Sequence, residues 1–329
     1  MNVTKRLVVL VAVLVANVAL AQDVTIKLGT LAPQGSTWHS LLKEMAEKWG
    51  EASGGKVKLK IYAGGTQGSE GDMVRKMGVG QLQASSITNV GLHDIVAEPM
   101  VFSTPGLFDE RDFRDTFPKL EAQLNGIVEA RGYVVLSWAQ VGTVQIFCTK
   151  PYTTPEAAAD AKFFAWDGDP AAVEAFKLVG FRPVVLSSTD IVPSLQTGMI
   201  SCVSQVPAYV LTARLFDKAN QMVDYPWAYL IGATIVKKDA WEKIPADVRP
   251  KLLAITKDIN SRIDAEVKRL NDDAVTAMKK QGLNVVKVET GPWEKAAMRS
   301  WPAVRGKVVP EAFFDQALKA RDEARKARK

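Results

Sequence analysis

The chain has 329 residues, 47% of them hydrophobic, a formal net charge of +6, two cysteines and two histidines. That length and apolar content support two globular units with sizeable cores, and the charge is too mild to argue for nucleic acid as a partner. His39 and His93 stand in no metal-ligand or nucleophile-base spacing, so no metal, cofactor or catalytic centre is expected from them.

Residues 1–21 read as a cleaved export signal. Lys5 and Arg6 lead an apolar run from Leu7 to Val15, and Ala19-Leu20-Ala21 stands before Gln22. The run is shorter than the roughly 20 apolar residues that span a bilayer. No cysteine precedes Cys148, so the signal offers no thiol for a lipid, and the expected location is the periplasm. In that oxidising compartment Cys148 and Cys202 form either a disulfide or two buried thiols on neighbouring strands, and spacing does not decide between them.

Alternation at Val24, Ile26 and Leu28, helical spacing through Trp38, Leu41, Leu42, Met45 and Trp49, and alternation again at Val57, Leu59 and Ile61 predict a strand-helix-strand unit with parallel strands. Ser69, with Asp72 three residues on, caps a second helix. The small-residue strand Ala84 to Thr88 then runs into a loop at Asn89-Val90-Gly91. Tyr133 to Trp138 and Gln145 to Thr149 read as strands, and Thr154-Pro155-Glu156 as a helix cap. After this crossover the alternation restarts, with strands at Lys162–Trp166 and Pro183–Leu186 and helices at Ala171–Leu178 and Ile191–Thr197. Ala233-Thr234-Ile235-Val236 carries the chain back towards the first unit.

From Pro250 to Gly282, Leu252, Ile255, Ile259, Ile263, Val267, Leu270, Ala274 and Met278 recur at intervals of three and four. One helix of about 45 Å follows, long enough to lie across two lobes. A globular context favours that packing over a coiled-coil arm. A monomer is expected; pairing of the exposed long helix into a dimer is the alternative, and no sequence feature decides between them. The basic run Ala317 to Lys329 lacks a large apolar face and reads as a frayed, solvated tail.

Chemistry-bearing patterns are missing. Gly64-Gly65-Thr66-Gln67-Gly68 precedes a helix, but no lysine follows to reach a phosphate. Glu70, Asp94, Asp167 and Asp169 show no pairing for acid-base work. An enzyme is disfavoured.

One stretch is more specific. Ala161-Lys162-Phe163-Phe164-Ala165-Trp166-Asp167-Gly168, Val179-Gly180-Phe181-Arg182-Pro183-Val184-Val185-Leu186, Ser194-Leu195-Gln196-Thr197-Gly198-Met199-Ile200 and Gln205-Val206-Pro207 follow in order. Ile26-Lys27-Leu28-Gly29, Gly68-Ser69-Glu70, Thr104-Pro105-Gly106-Leu107-Phe108 and Ile244-Pro245 agree with it. This set resembles the DctP-type solute receptors of tripartite ATP-independent periplasmic (TRAP) transporters. The resemblance implies a two-lobed α/β fold of the type II periplasmic-binding-protein kind, with crossing hinge strands and a long helix spanning both lobes. The expected division is 22–143 with 231–262 in lobe I, 144–230 with 263–312 in lobe II, and a tail at 313–329. It also implies capture of one small-molecule solute and delivery to the membrane subunits of an ion-driven TRAP permease.

In that family an arginine on a second-lobe strand clamps the substrate carboxylate, as a planar guanidinium does well. Counting from Lys162 places it at Phe164, and counting from Gly180 places it at Ala165. A second arginine of some members falls at Val144, beside Gly142, and a common asparagine falls at Gln205. No arginine lies between Arg131 and Arg182. The expected ligand is therefore neutral or apolar, in a wall of Trp38, Trp138, Phe164, Trp166, Tyr209 and Tyr229 with Asn89, Gln140 and Gln205 orienting it. The alternative is a periplasmic carrier or sensor subunit that presents an apolar ligand to a partner protein.

Overall fold

The computed structural model describes residues 23–167 and 169–328; the export signal expected at 1–21 lies outside them. The chain opens with β1 (Val24–Thr30), α1 (Thr37–Ala52) and β2 (Val57–Tyr62), and β1 and β2 pair in parallel. α2 (Glu70–Gly78) begins at Ser69 with the expected capping box, Ser69 Oγ accepting from Asp72 N while Asp72 accepts from Ser69 N. β3 (Ala84–Thr88) follows. Asn89–His93, expected as a loop, is a short helix, α3, because Thr88 Oγ1 caps it by accepting from Val90 N. α4 (Glu110–Ala130) leads into β4 (Tyr133–Cys148), one strand where two were expected.

The second half repeats the alternation: β5 (Lys162–Trp166), α5 (Pro170–Val179), β6 (Arg182–Leu186), α6 (Ile191–Thr197), β7 (Cys202–Gln205) and α7 (Pro207–Thr212). β8 (Gln221–Lys237) then returns along β4. After α8 (Lys238–Glu242) come α9 (Arg249–Lys279), β9 (Asn284–Val286), α10 (Thr290–Arg299), α11 (Trp301–Val304) and α12 (Glu311–Ala327).

Among the described residues the nine strands form one sheet, ordered β2-β1-β3-β8-β4-β7-β5-β6, with β9 on the other end of β8. The outer pairs β1–β2, β1–β3, β5–β6 and β5–β7 are parallel, whereas β4 and β8 run antiparallel to each other and to their neighbours β7 and β3. Within the sheet, these two long strands carry the hydrogen bonding from one half to the other. Apolar clusters cover both faces in each half. Phe163 and Ala165 of β5 point into one and Phe164 into the other, as strand alternation requires.

α9 spans about 46 Å at 1.5 Å per residue and packs on α1 of the first half, β4 at the centre and α7 of the second. Its buried stripe departs from expectation at two places: Thr256 and Asn271 are buried where Ile255 and Leu270 are not. Both polar residues have partners. Trp49 Nε1 donates to Thr256 Oγ1 at 3.1 Å. Asn271 accepts from Ala208 N and donates to the carbonyl of Val141. Gly142, beside it on β4, has φ +121°, and a Cβ there would stand 2.5 Å from Asn271 Nδ2, so only glycine fits under the helix.

Cys148 and Cys202 face each other on antiparallel β4 and β7 and form a disulfide, which settles the choice left open by their spacing.

The C-terminal segment is not a frayed tail. α12 buries Phe313, Phe314, Ala317, Ala320 and Ala324 and packs on α4. Its basic residues are anchored: Arg325 and Arg328 bond the fully buried carboxylate of Asp112, and Arg321 donates to the carbonyl of Leu107. From Ala317 onward the buried face is Ala317, Ala320, Arg321 and Ala324, which left little apolar signal to read.

Candidate functional site

Parallel strands in each half point their carboxyl ends at the seam between the halves, the usual place for a ligand crevice in such sheets. On one side β1 ends at Thr30 and β3 at Thr88; on the other β5 ends at Trp166 and β7 at Gln205. Ser36 caps α1 by accepting from His39 N, which sets Trp38 in the first turn over the seam. The floor is made by β4 and β8.

A cavity of about 150 Å³ lies in this seam. Thr30, Leu31, Trp38, Leu41 and Thr88 line it from the first half, and Trp166, Ser188, Gln205, Val206 and Tyr209 from the second, with Met45 of α1 and Ile259 and Ile263 of α9 also in its wall. A second pocket of about 80 Å³ adjoins it through Trp166 and Leu230, lined by Val144, Phe164, Ala165 and Ser204 together with Ser103 and Thr104. A third, of about 20 Å³, lies between Glu70, Asp94, Asp167, Trp166 and Ser188.

Of the residues expected in the ligand wall, Trp38, Trp166, Gln205 and Tyr209 meet in the large cavity, and Val144, Phe164, Ala165 and again Trp166 in the second pocket. Asn89 stands behind the second pocket, fully buried, its Nδ2 donating to Ser103 Oγ at 2.5 Å. Trp138, Gln140 and Tyr229 lie outside both pockets, and Trp138 and Gln140 line a separate cleft with Lys257 and Asp264. The cause is strand parity: Ser137, Ala139 and Val141 of β4 and Leu230 of β8 face the cavity, so their neighbours in sequence face away. Trp138 instead packs on Phe117 and donates to Asn125 Oδ1, and Tyr229 packs on Phe113.

The seam is acidic. Glu70 is buried, and its carboxylate accepts from Thr88 N, Thr88 Oγ1 and Gly91 N. Burial pushes its pKa up, and those three hydrogen bonds and the nearby Asp94 modulate the effect. Gly91 is required for the contact, since a Cβ would stand 2.6 Å from Glu70 Cβ. Burial also raises Asp94, with Asp167 across the seam adding to the rise and His93 and Arg75 opposing it. Tyr209 is raised by burial and then by the charge of Glu70. No lysine or arginine is among the described residues lining the three pockets.

Buried polar atoms without a hydrogen-bond partner concentrate at this place. Among the described residues there are six, and Trp166 Nε1, Ser188 Oγ and Ser204 Oγ belong to the pocket walls while Asn89 Oδ1 lies just behind. Buried polar groups are otherwise paired almost without exception, so the cluster marks a surface built to meet something polar. Glu70, Ser188 and Ser204 were not expected as site residues. Glu70 was visible in the Gly68-Ser69-Glu70 segment and among the carboxylates weighed for acid-base work, and no sequence signal pointed to either serine.

Residues 28–306 match DctP, the bacterial extracellular solute-binding protein family 7. The chain belongs to this family. It is a solute-binding protein of TRAP transport rather than an enzyme. Among curated relatives, the C4-dicarboxylate-binding periplasmic protein DctP of Rhodobacter capsulatus is 24% identical over 288 residues, which cover 84% of this chain and 85% of that protein. A TRAP periplasmic solute-binding protein from Pseudomonas putida F1, solved with bound D-glucuronate, superposes with a TM-score of 0.83 at 21% identity, over 91% of this chain and 97% of the other. One from Sulfurospirillum deleyianum, solved with succinate, does so with a TM-score of 0.83 at 20% identity, over 90% and 98%. This DctP-family chain therefore has the type II binding-protein fold with its long helix. Among its described residues no helix is long and apolar enough to cross a membrane.

Proposed function

We propose that this DctP-family protein is the periplasmic receptor of a TRAP transporter and that it closes its two halves on an uncharged, largely apolar solute, which it hands to an ion-driven permease. The halves are 22–143 with 231–262 and 144–230 with 263–312, hinged on β4 and β8, and the ligand completes the interface between them.

The observation that carries the reading is the absence of any basic side chain among the described residues lining the seam, together with the acids Glu70, Asp94 and Asp167 that do line it. A carboxylate moved out of water needs a cation or several charge-assisted donors. The positions matched to the family's arginines, Phe164 or Ala165 and Val144, present apolar walls to the second pocket. The ligands named for the two solved relatives, D-glucuronate and succinate, are both acids, so the cargo differs in charge from theirs. A disulfide between Cys148 and Cys202 fits an oxidising compartment, as do the periplasmic relatives.

Calorimetric titration with small monocarboxylates, dicarboxylates and their neutral amides and alcohols tests the reading. Binding is expected for neutral compounds and absent for the acids. Tight binding that requires the carboxylate overturns it.

A further inference from the structure

Asn271 of α9 is only 7% exposed, and its carboxamide is fully engaged. Oδ1 accepts from Ala208 N at 3.0 Å, and Nδ2 donates to the carbonyls of Val141 at 3.2 Å and Val267 at 2.9 Å. Exchanging the two ends would set an N–H against the Ala208 N–H and an oxygen against two carbonyls, so these partners fix its orientation. Val267 belongs to α9 itself, but the other two partners belong to the frame of the seam cavity. Val141 lines that cavity, and so do Val206 and Tyr209, the residues on either side of Pro207-Ala208.

Both partners stand where regular structure gives out. Ala208 is the second residue of α7, and no side chain of its own N-cap bonds there, so its amide is one of the donors that a helix start leaves free. Val141 is passed over by the register shift of β4 on β8 between Gln140 and Gly142, and β7 joins β4 only from Gln145 onward. Over this stretch side chains of α9 take up the strand's polar groups: Asn260 donates to the carbonyl of Trp138, Asp264 accepts from Gln140 N, and Asn271 follows at Val141. An extra residue bends a strand, so the place where β4 crosses between the halves is held by separate side-chain bonds. Glycine at 142 lets the helix approach that closely, since a Cβ there would stand 2.5 Å from Asn271 Nδ2.

We propose that Asn271 is a positioning residue for solute capture: it joins the cavity wall carried by the start of α7 to the bulge of the hinge strand at Val141, so that wall and hinge bend as one body. This rests on the seam being the solute site and on β4 and β8 being its hinge, and it makes no use of the solute's charge. Only a carboxamide does the work, because one end must accept from Ala208 while the other donates to Val141.

The test uses the mature chain without solute. Spin labels go on exposed positions of the two halves, Glu47→Cys and Lys218→Cys, and pulsed electron paramagnetic resonance reads the spread of distances between the halves while NMR reads amide exchange. Asn271→Leu should broaden the distances and quicken exchange of the Ala208 amide about fivefold, the effect of one neutral hydrogen bond. Asn271→Asp keeps an acceptor for Ala208 but turns a second oxygen towards the carbonyl of Val141. At about pH 8 it should leave Ala208 protected and still broaden the distances, since a carboxylate has no proton to donate. At about pH 5, with burial keeping the carboxyl protonated and able to donate, the distances should return to those of the parent at the same pH. That comparison lies within one protein and stands even where Asn271→Leu fails to fold. An Asn271→Asp chain whose distances follow the parent's at both pH values, or respond to pH no more than the parent does, overturns the proposal. Exchange that quickens evenly over β1, α7 and α9 with no change in distance makes Asn271 a packing residue and overturns it as well. Either failure leaves the choice of solute to the calorimetric titration, because no solute is in the sample.

Discussion

Tyr229 on β8 donates its phenolic proton to Gln140 Oε1 on β4, 2.6 Å away. Two groups that suit a ligand wall are thereby committed to each other on the far side of the hinge strands. The tyrosine is 1% exposed, and burial, with Glu110 and Asp264 near it, drives its pKa far upward. The bond ties β4 to β8 where their register shifts, between Gln140 and Gly142. Tyr229→Phe should therefore lower stability by about 1 kcal/mol and leave ligand affinity unchanged. Denaturant melts paired with titration check both halves of that expectation.

Asp264 of α9 accepts from Gln140 N at 2.7 Å and from Asn260 Nδ2 at 3.1 Å. Burial pushes its pKa up from 3.8 to about 6, against the backbone bond from Gln140. The folded protein then holds a proton that the unfolded chain has released. The contribution is present below about pH 4 and lost as pH rises through about 6, a change of at most about 2 kcal/mol after allowance for partial exposure. Asp264→Asn should flatten this part of the stability–pH curve, read from urea midpoints between those values.

The disulfide closes a sequence separation of 54 residues. A loop of that size corresponds to about 4 kcal/mol in the chain-entropy treatment. Replacing Cys148 and Cys202 together with serine should lower the denaturation midpoint of the second half first, and hydrogen exchange on β5 to β7 locates the loss. Equal loss across α1 and α4 would contradict this assignment.

Asp112 is fully buried between α4 and α12. Burial raises its pKa, but Arg325, the amide that caps at Asp109 and Arg328 together hold it below the usual carboxylate range. Replacing Arg325 and Arg328 with alanine leaves a buried charge short of partners and should cost about 3 kcal/mol. Faster hydrogen exchange across α12 is the direct readout. The native contribution is present above the unfolded pKa and lost as pH falls through the lowered folded value.

Glu70 receives two backbone N–H groups and a hydroxyl. Glu70→Gln keeps the shape but turns an amide donor towards those donors, so it should loosen the turn from β3 into α3 and weaken ligand binding several-fold. Titration and exchange at Thr88 and Gly91 measure it.

Much of this architecture was legible in local pattern. β3, β5 and α6 have the bounds that alternation and helical spacing predict, and the Ser69 cap is as expected. The long helix was readable because eight apolar residues keep one period, yet Thr256 and Asn271 replace two of them in the buried stripe, since partners on α1, β4 and α7 satisfy their polar atoms. At the candidate site, Trp38, Trp166, Gln205 and Tyr209 line the cavity, and Trp138, Gln140 and Tyr229 do not.

By itself the sequence determined the α/β alternation, the bridging helix and the family, because caps, periods and motif order are properties of neighbours along the chain. Tertiary structure alone decided which face of β4 and β8 meets the cavity. Both faces of those strands are covered, so their hydrophobic pattern carries no sign, and the register shifts of the β4–β8 pair set the parity. It also decided the pairing of Cys148 with Cys202, the docking of α12 on Asp112, and the tie from Asn271 to Val141 and Ala208. Each depends on chain segments far apart in sequence being brought within bonding distance.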